Sequence, residues 1–552
     1  MKRRHFLHHG TQAALASALL PLAAAASETP APQRNGLDLR ERTIDELQGY
    51  LHSGRASSRD LCQWYLARIA ELDPKGPTLR AILELNPDAL RLADELDRER
   101  KAGKVRGPLH GIPVLLKDNI DTADRMQTTA GALALAGHHA RYDAAVVQRL
   151  RVAGAILLGK TNLSEWANFR STSSVSGWSS RGGQTRNPYV LDRVPSGSSA
   201  GSGAAVAASL CAVAVGTETN GSIVSPASCN GLVGLKPTVG LVSRMGIIPI
   251  SATQDTAGPM ARTVRDAAAL LGGMLYYQED DPVMPWCGTG VIVEAMQQTE
   301  AKFSLLAKFQ KNSYVLPLAA DALRNQQLGV EKSHLASKTA AGELLRQAVA
   351  VLKAQGATVV EVDVISATQV IGEAEFDVLL YEFKDGLNQY LIATDSPVKT
   401  LADVIAFNQA HAAQAMPFFQ QEILEMAEKT DGLSSEKYKA ALRKVVDTAR
   451  QALDAALKIN GGLAAIVAIT TGPAACIDLV NGEYGTGPDY SGPAAMAGYP
   501  HLTVPMGQVH GLPVGLSLVS GPYSEAGLLA LGYAYEQATK WRRAPEFRTA
   551  VG

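Results

Sequence analysis

Residues Pro195–Pro237 read PSGSSAGSGAAVAASLCAVAVGTETNGSIVSPASCNGLVGLKP. Small residues and hydroxyls crowd there around two short apolar runs. AAVAASL has the pattern of a small-residue helix, CAVAV that of a buried strand, and Ser198 and Ser222 each lie in a Gly-bearing loop. Such a segment builds a site out of backbone. A Gly/Ser tract alone is more often a linker, and a lone lysine after a strand is usually a solvated end. Upstream, however, Leu109–Asp121 reads LHGIPVLLKDNID, which sets Lys117 at the end of an apolar, strand-like run. A serine hydroxyl is a poor nucleophile at its free pKa and needs a base within hydrogen-bond reach. Lysine can be that base only as the neutral amine, which an apolar setting favours by disfavouring the ammonium.

With Lys117, Ser198 and Ser222 in that order, the chain resembles the amidase signature family, serine hydrolases that use a Ser/Ser/Lys triad. The resemblance implies that Ser222, in TETNGSI, is the nucleophile, that Ser198, the first serine of GSSAG, is the bridging serine, and that Lys117 is the base. It implies N–H groups of Thr219, Asn220, Gly221 and Ser222 as oxyanion donors, a cis peptide bond between Gly197 and Ser198, and no cofactor or metal. Further family-like segments flank the triad: RNPYVLDRVPSGSSAGSGAA, GLVGLKPTVGLVSRMGIIPISATQDTAGPMARTVRDAA, AMAGYPHLTVPMG and GLPVGLSLVSG. The resemblance runs from about Asp45 to about Tyr535. Departures fall at Ser196 and Ala200, where the family pattern has glycines, and at Asn220, where the turn usually reads Gly-Gly-Ser. Asn tolerates left-handed backbone angles, so the turn is expected to survive. These substitutions, with LLYEFKDGLNQYL and TDGLSSEKYKAAL, most resemble the bacterial peptide amidase branch, whose members hydrolyse C-terminal carboxamides of peptides. The implied function is an exported serine amidase that turns carboxamides into carboxylate and ammonia through an acyl-enzyme. Alternatives are an amidase of small-molecule, fatty or aryl amides and the glutamine-hydrolysing component of a tRNA-dependent amidotransferase.

Gly197-Ser198-Ser199-Ala200-Gly201 also fits the G-x-S-x-G nucleophile elbow of α/β-hydrolases, with Ser199 attacking and His411, His501 or His510 as the histidine. That reading requires a strand running into Ser199, and Pro188 and Pro195 stand against one.

At the N-terminus, Lys2, Arg3 and Arg4 precede a short apolar stretch broken by Pro21, with small residues before Ala26. This has the form of an export signal, and its RRxFL pattern resembles a twin-arginine signal over 1–26. An uncleaved anchor is the rival, but Ala13 to Ala26 is shorter than the ~20 residues of a spanning helix. The expectations are a periplasmic or secreted protein, twin-arginine machinery as the precursor's partner, and no membrane association after cleavage. The chain has 52 basic and 53 acidic residues, so removing the leader leaves it mildly acidic, and nothing suggests nucleic acid. Its five cysteines include no C-x-x-C pair, which speaks against a zinc site or disulfide scaffold. Cys229 either lines the site or is a small buried hydrophobe.

The signature blocks span both ends and the middle of the chain, and one site needs them together. One large α/β domain over 41–545 is therefore expected, after a linker at 27–40; the resemblance implies a mixed β-sheet core covered by helices on both faces. Helices are expected at Thr43–Leu51, Ser58–Leu72, Pro87–Lys104, Lys338–Ala354 and Glu436–Ile459; strands are expected in GIPVLL, AILLG, CAVAV, ATVVEV, AAIVAI and VGLSLV. Residues 277–327 read as an insertion, either a loop or a lid.

Overall fold

The structure, a computed structural model, describes residues 36–275, 314–315 and 317–551. The expected leader and most of the expected insertion lie outside the described residues. Of the expected linker, 36–40 are described, and Leu37 and Leu39 are buried in the main core.

Thirteen strands are described: β1 Ile82–Leu85, β2 Pro113–Lys117, β3 Ile156–Thr161, β4 Trp178–Ser179, β5 Gly183–Gln184, β6 Val213–Glu218, β7 Val233–Lys236, β8 Thr256–Ala261, β9 Gln327–Glu331, β10 Thr358–Val362, β11 Ala465–Ile469, β12 His501–Val509 and β13 Leu512–Val519. β4 and β5 form a small ribbon; the others make an 11-stranded sheet in the order β1-β3-β2-β6-β8-β7-β12-β13-β11-β9-β10. The sheet is mixed. β3-β2-β6 and β11-β9-β10 run parallel within themselves, and antiparallel pairs join them through β8, β7, β12 and β13. All six apolar runs expected as buried strands form strands, and five are buried throughout; β10, from ATVVEV, lies at the end of the sheet order and leaves Thr358 and Glu361 exposed.

Helices cover both faces. Along β11, Ala465, Val467 and Ile469 enter one hydrophobic core, while Ile466 and Ala468 enter another, shared with the helices Glu436–Leu457 and Ser491–Ala497. That alternation is the period-2 geometry of a strand buried on two sides. Helix starts follow their caps: Thr43 and Glu46 form a capping box ahead of Ile44–Ser53, and Ser57 and Asp60 form another ahead of Ser58–Leu72.

The Gly/Ser tract is not a linker. Ala200–Ala207 is a helix whose residues are all buried. A Cβ added at Gly201 would lie 2.3 Å from the Ala81 carbonyl oxygen and 2.4 Å from that of Asn162. Only small side chains allow the helix to approach the sheet this closely. Because those neighbours are backbone and cannot move aside, Gly201→Ala should destabilise the protein by at least about 2 kcal/mol, read as a lower urea midpoint by circular dichroism.

Candidate active site

β2 runs parallel to β6, with Leu116 opposite Val215. The carboxyl ends of the two strands therefore emerge side by side, a common place for a site in parallel sheets. There Lys117 Nζ donates to Ser198 Oγ at 2.7 Å, to Thr217 Oγ1 at 2.9 Å and to the Thr217 carbonyl at 3.1 Å. Lys117 is fully buried. Desolvation pushes its pKa down to about 7, against the opposing pull of the Asp255 and Glu218 carboxylates. An amine poised there can take or return a proton near neutral pH.

Ser198 is buried and follows a cis Gly197–Ser198 peptide bond, as the resemblance implied. Ser196, where the family pattern has glycine, takes φ 60. Ser222 reaches the same place through the main chain, its carbonyl accepting from the Ser199 N–H at 3.2 Å. Among the described residues no hydrogen bond joins Ser222 Oγ to Ser198 Oγ, and Ser222 keeps 7% exposure.

The turn before Ser222 differs from expectation in two respects. Its left-handed residue is Gly221, at φ 80, not Asn220. The Gly221 N–H is also committed, donating to Glu218 Oε1 at 3.0 Å, while Glu218 Oε2 accepts from Ile223 at 2.7 Å and Val224 at 3.0 Å. A carboxylate this deeply buried must be satisfied, and it takes the nearest amides. Of the four expected donors, the N–H groups of Thr219, Asn220 and Ser222 are left without a protein acceptor among the described residues. The turn's side chains are tied as well: Thr219 Oγ1 donates to Asp255 Oδ1 at 2.5 Å, and Asn220 Nδ2 to Glu375 Oε1 at 2.8 Å.

The Ser199 alternative finds no support. Its hydroxyl is fully buried, donates to the Thr217 carbonyl at 3.0 Å and accepts from the Thr217 N–H at 3.2 Å. His501 Nε2 bonds to the Ser517 hydroxyl and His411 Nδ1 to the Phe407 carbonyl. No strand leads into Ser199. Cys229 is buried, its thiol pushed up to about 12 by desolvation, so it is inert packing.

Beside the turn lies a mainly apolar cavity of about 450 Å³. Its wall includes Asn119, Thr217, Thr219, Ile248, Asp255 and Tyr390. Sequence reading passed over Thr217, Glu218, Asn119 and Asp255. The signal was there for the carboxylates: acidic residues beside apolar strands, in GTETNGS and ATQDTAGP.

A family model described as Amidase matches residues 60–529. The solved structure of native peptide amidase from Stenotrophomonas maltophilia is similar at 49% identity and TM-score 0.83, over 92% of this chain and 99% of that one. A probable amidase of Arabidopsis thaliana is 40% identical over 518 residues, 92% of each chain. A glutamyl-tRNA(Gln) amidotransferase component from Halorhodospira halophila is 36% identical, over 92% of this chain and 99% of that one. The buried lysine and serines thus stand in a chain that belongs to the amidase family and is an amide-hydrolysing hydrolase.

Proposed function

We propose that the chain is an exported serine amidase that releases ammonia from the C-terminal carboxamide of peptides through an acyl-enzyme. The observation that carries the mechanism is the 2.7 Å contact between a wholly buried Lys117 and Ser198. The similarity to a solved peptide amidase supports the substrate class, and the Lys2-Arg3-Arg4 leader supports export to the periplasm or medium.

Each residue then has a task. Neutral Lys117 keeps its two N–H bonds on Thr217 and turns its lone pair to the Ser198 hydroxyl. Ser198 passes its proton to Lys117 as it takes one from Ser222, whose Oγ attacks the amide carbonyl. Negative charge gathering on the carbonyl oxygen is met by the uncommitted N–H groups of the Thr219–Ser222 turn. The proton returns through Ser198 to the leaving nitrogen, and ammonia departs. Water then attacks the acyl-enzyme by the same relay, freeing the carboxylate and Ser222. The apolar cavity beside Thr219 is suited to a side chain on the acyl side of the substrate. The leaving-group side need only fit NH₂, which spares internal peptide bonds.

Ser222→Ala should lower kcat by about 10⁴-fold or more, whereas Ser199→Ala should stay within about tenfold of wild type, since its hydroxyl only ties backbone; both are read as ammonia release. The reverse ranking would favour the elbow. Because the base works deprotonated, kcat/KM should rise with pH through about 7 and level off above it. Lys117→Arg should be nearly inactive, because Arg keeps the charge but cannot give up its proton; near-wild-type activity would reduce Lys117 to a fixed cation. On a panel of peptide amides, fatty and aryl amides, glutamine and unamidated peptides, ammonia should come first from peptide amides. Cleavage of internal bonds, or preference for long-chain amides, would remove the peptide reading and leave the serine amidase.

A further inference from the structure

Asp255, just ahead of β8, is almost wholly buried and divides its carboxylate between two parts of the site. Oδ1 accepts from the Thr219 hydroxyl at 2.5 Å; Oδ2 accepts from the N–H groups of Ile250 at 2.8 Å and Ser251 at 2.9 Å. Thr219 opens the turn that ends in Ser222. Ile250 and Ser251 form part of the cavity wall. One side chain therefore fixes the turn relative to the cavity in which the acyl portion of a substrate would lie.

Its charge is placed as usefully as its oxygens. Asp255 and Glu218 are the two carboxylates that act on Lys117, and Asp255 is the larger influence. Burial pushes the Asp255 carboxyl above the usual carboxylate range, opposed by its hydrogen bonds from Thr219, Ser251 and Ile250 and by Arg244, which donates to the Ser251 carbonyl at 3.2 Å on the cavity wall. Glu218 spends its oxygens on the far side of the turn, at Gly221, Ile223 and Val224. The two carboxylates thus bind the turn before Ser222 at different points, and both act electrostatically on the Lys117 amine.

We propose that Asp255 is a positioning residue for amide hydrolysis: it holds the Thr219 end of the oxyanion turn in register with the cavity and stabilises the ammonium that Lys117 becomes when it receives the serine proton. Both effects favour the transition state, in which the turn must meet an oxyanion and the lysine is acquiring charge. Removing the charge makes Lys117 a weaker base that is also free of its proton at lower pH. The two consequences appear in different observables.

In Asp255→Asn, assayed on a neutral peptide amide, the acid limb of the kcat/KM profile should move down by about one pH unit. Its plateau kcat should fall by about tenfold or more, with KM changed less than about threefold. Thr219→Val removes the hydroxyl link and leaves both charges, so kcat should fall while the limb stays in place; Thr219→Ser should restore kcat. A merely structural Asp255 would lower the yield of folded enzyme without moving the limb. An Asp255→Asn limb at the wild-type pH would overturn the proposal, whatever the change in kcat. Should that variant fail to fold, a Thr219→Val enzyme indistinguishable from wild type would overturn it instead. The inference rests on Lys117 acting as the base, and Lys117→Met in the same assay separates the two. An active Lys117→Met defeats the base reading; an inactive one beside an unmoved Asp255→Asn limb defeats this one.

Discussion

The structure around the site is organised by the burial of one amine. A lysine ammonium withdrawn from water loses several kcal/mol of hydration, so the fold must either surround Lys117 with acceptors or let it lose its proton. It does both. Ser198 Oγ, Thr217 Oγ1 and the Thr217 carbonyl offer three acceptors, while desolvation brings the proton within reach of neutral pH. The parallel pairing of β2 and β6 is what brings Thr217 to the amine, and the close-packed helix Ala200–Ala207 is what holds the Ser198 loop above it.

Two other lysines show what distinguishes this one. Lys160 ends the run AILLGK and Lys236 ends LVGLK; both are fully buried and both are pushed down by desolvation. Lys160 Nζ is held by the Ile120 carbonyl at 2.7 Å and Thr128 Oγ1 at 2.9 Å, and Lys236 Nζ by the Pro237 carbonyl at 3.3 Å. Neither touches a serine beside a second serine. Lys160 bonds to a carbonyl and a threonine and Lys236 to a carbonyl, whereas Lys117 bonds to Ser198 in the serine-rich loop, which is where the proposed relay begins.

Buried carboxylates give the turn before Ser222 its shape. Glu218 takes the Gly221 amide out of the set of donors and in return fixes the backbone on both sides of Ser222. In the proposed mechanism a turn held this way need not reorganise as charge develops on the substrate, and preorganisation of that kind is where much of the electrostatic contribution to catalysis arises.

The sequence by itself was enough for the fold class, because local patterns specify it: strictly apolar runs for strands buried on both faces, Thr43/Glu46 at a helix start, and small residues wherever helix and sheet must nearly touch. The triad rests on resemblance alone, since IPVLLK, AILLGK and LVGLK are equivalent as patterns and nothing local picks Lys117 from them. Tertiary structure decided the rest. The Gly221 amide turns to Glu218, the left-handed angle falls on Gly221 instead of Asn220, and Asp255, 33 residues beyond Ser222 in the chain, binds the first residue of its turn. These depend on which loops the neighbouring strands β2, β6 and β8 bring together at one end of the strands, and hydrogen bonds between residues far apart in the chain leave no periodicity for a sequence to display.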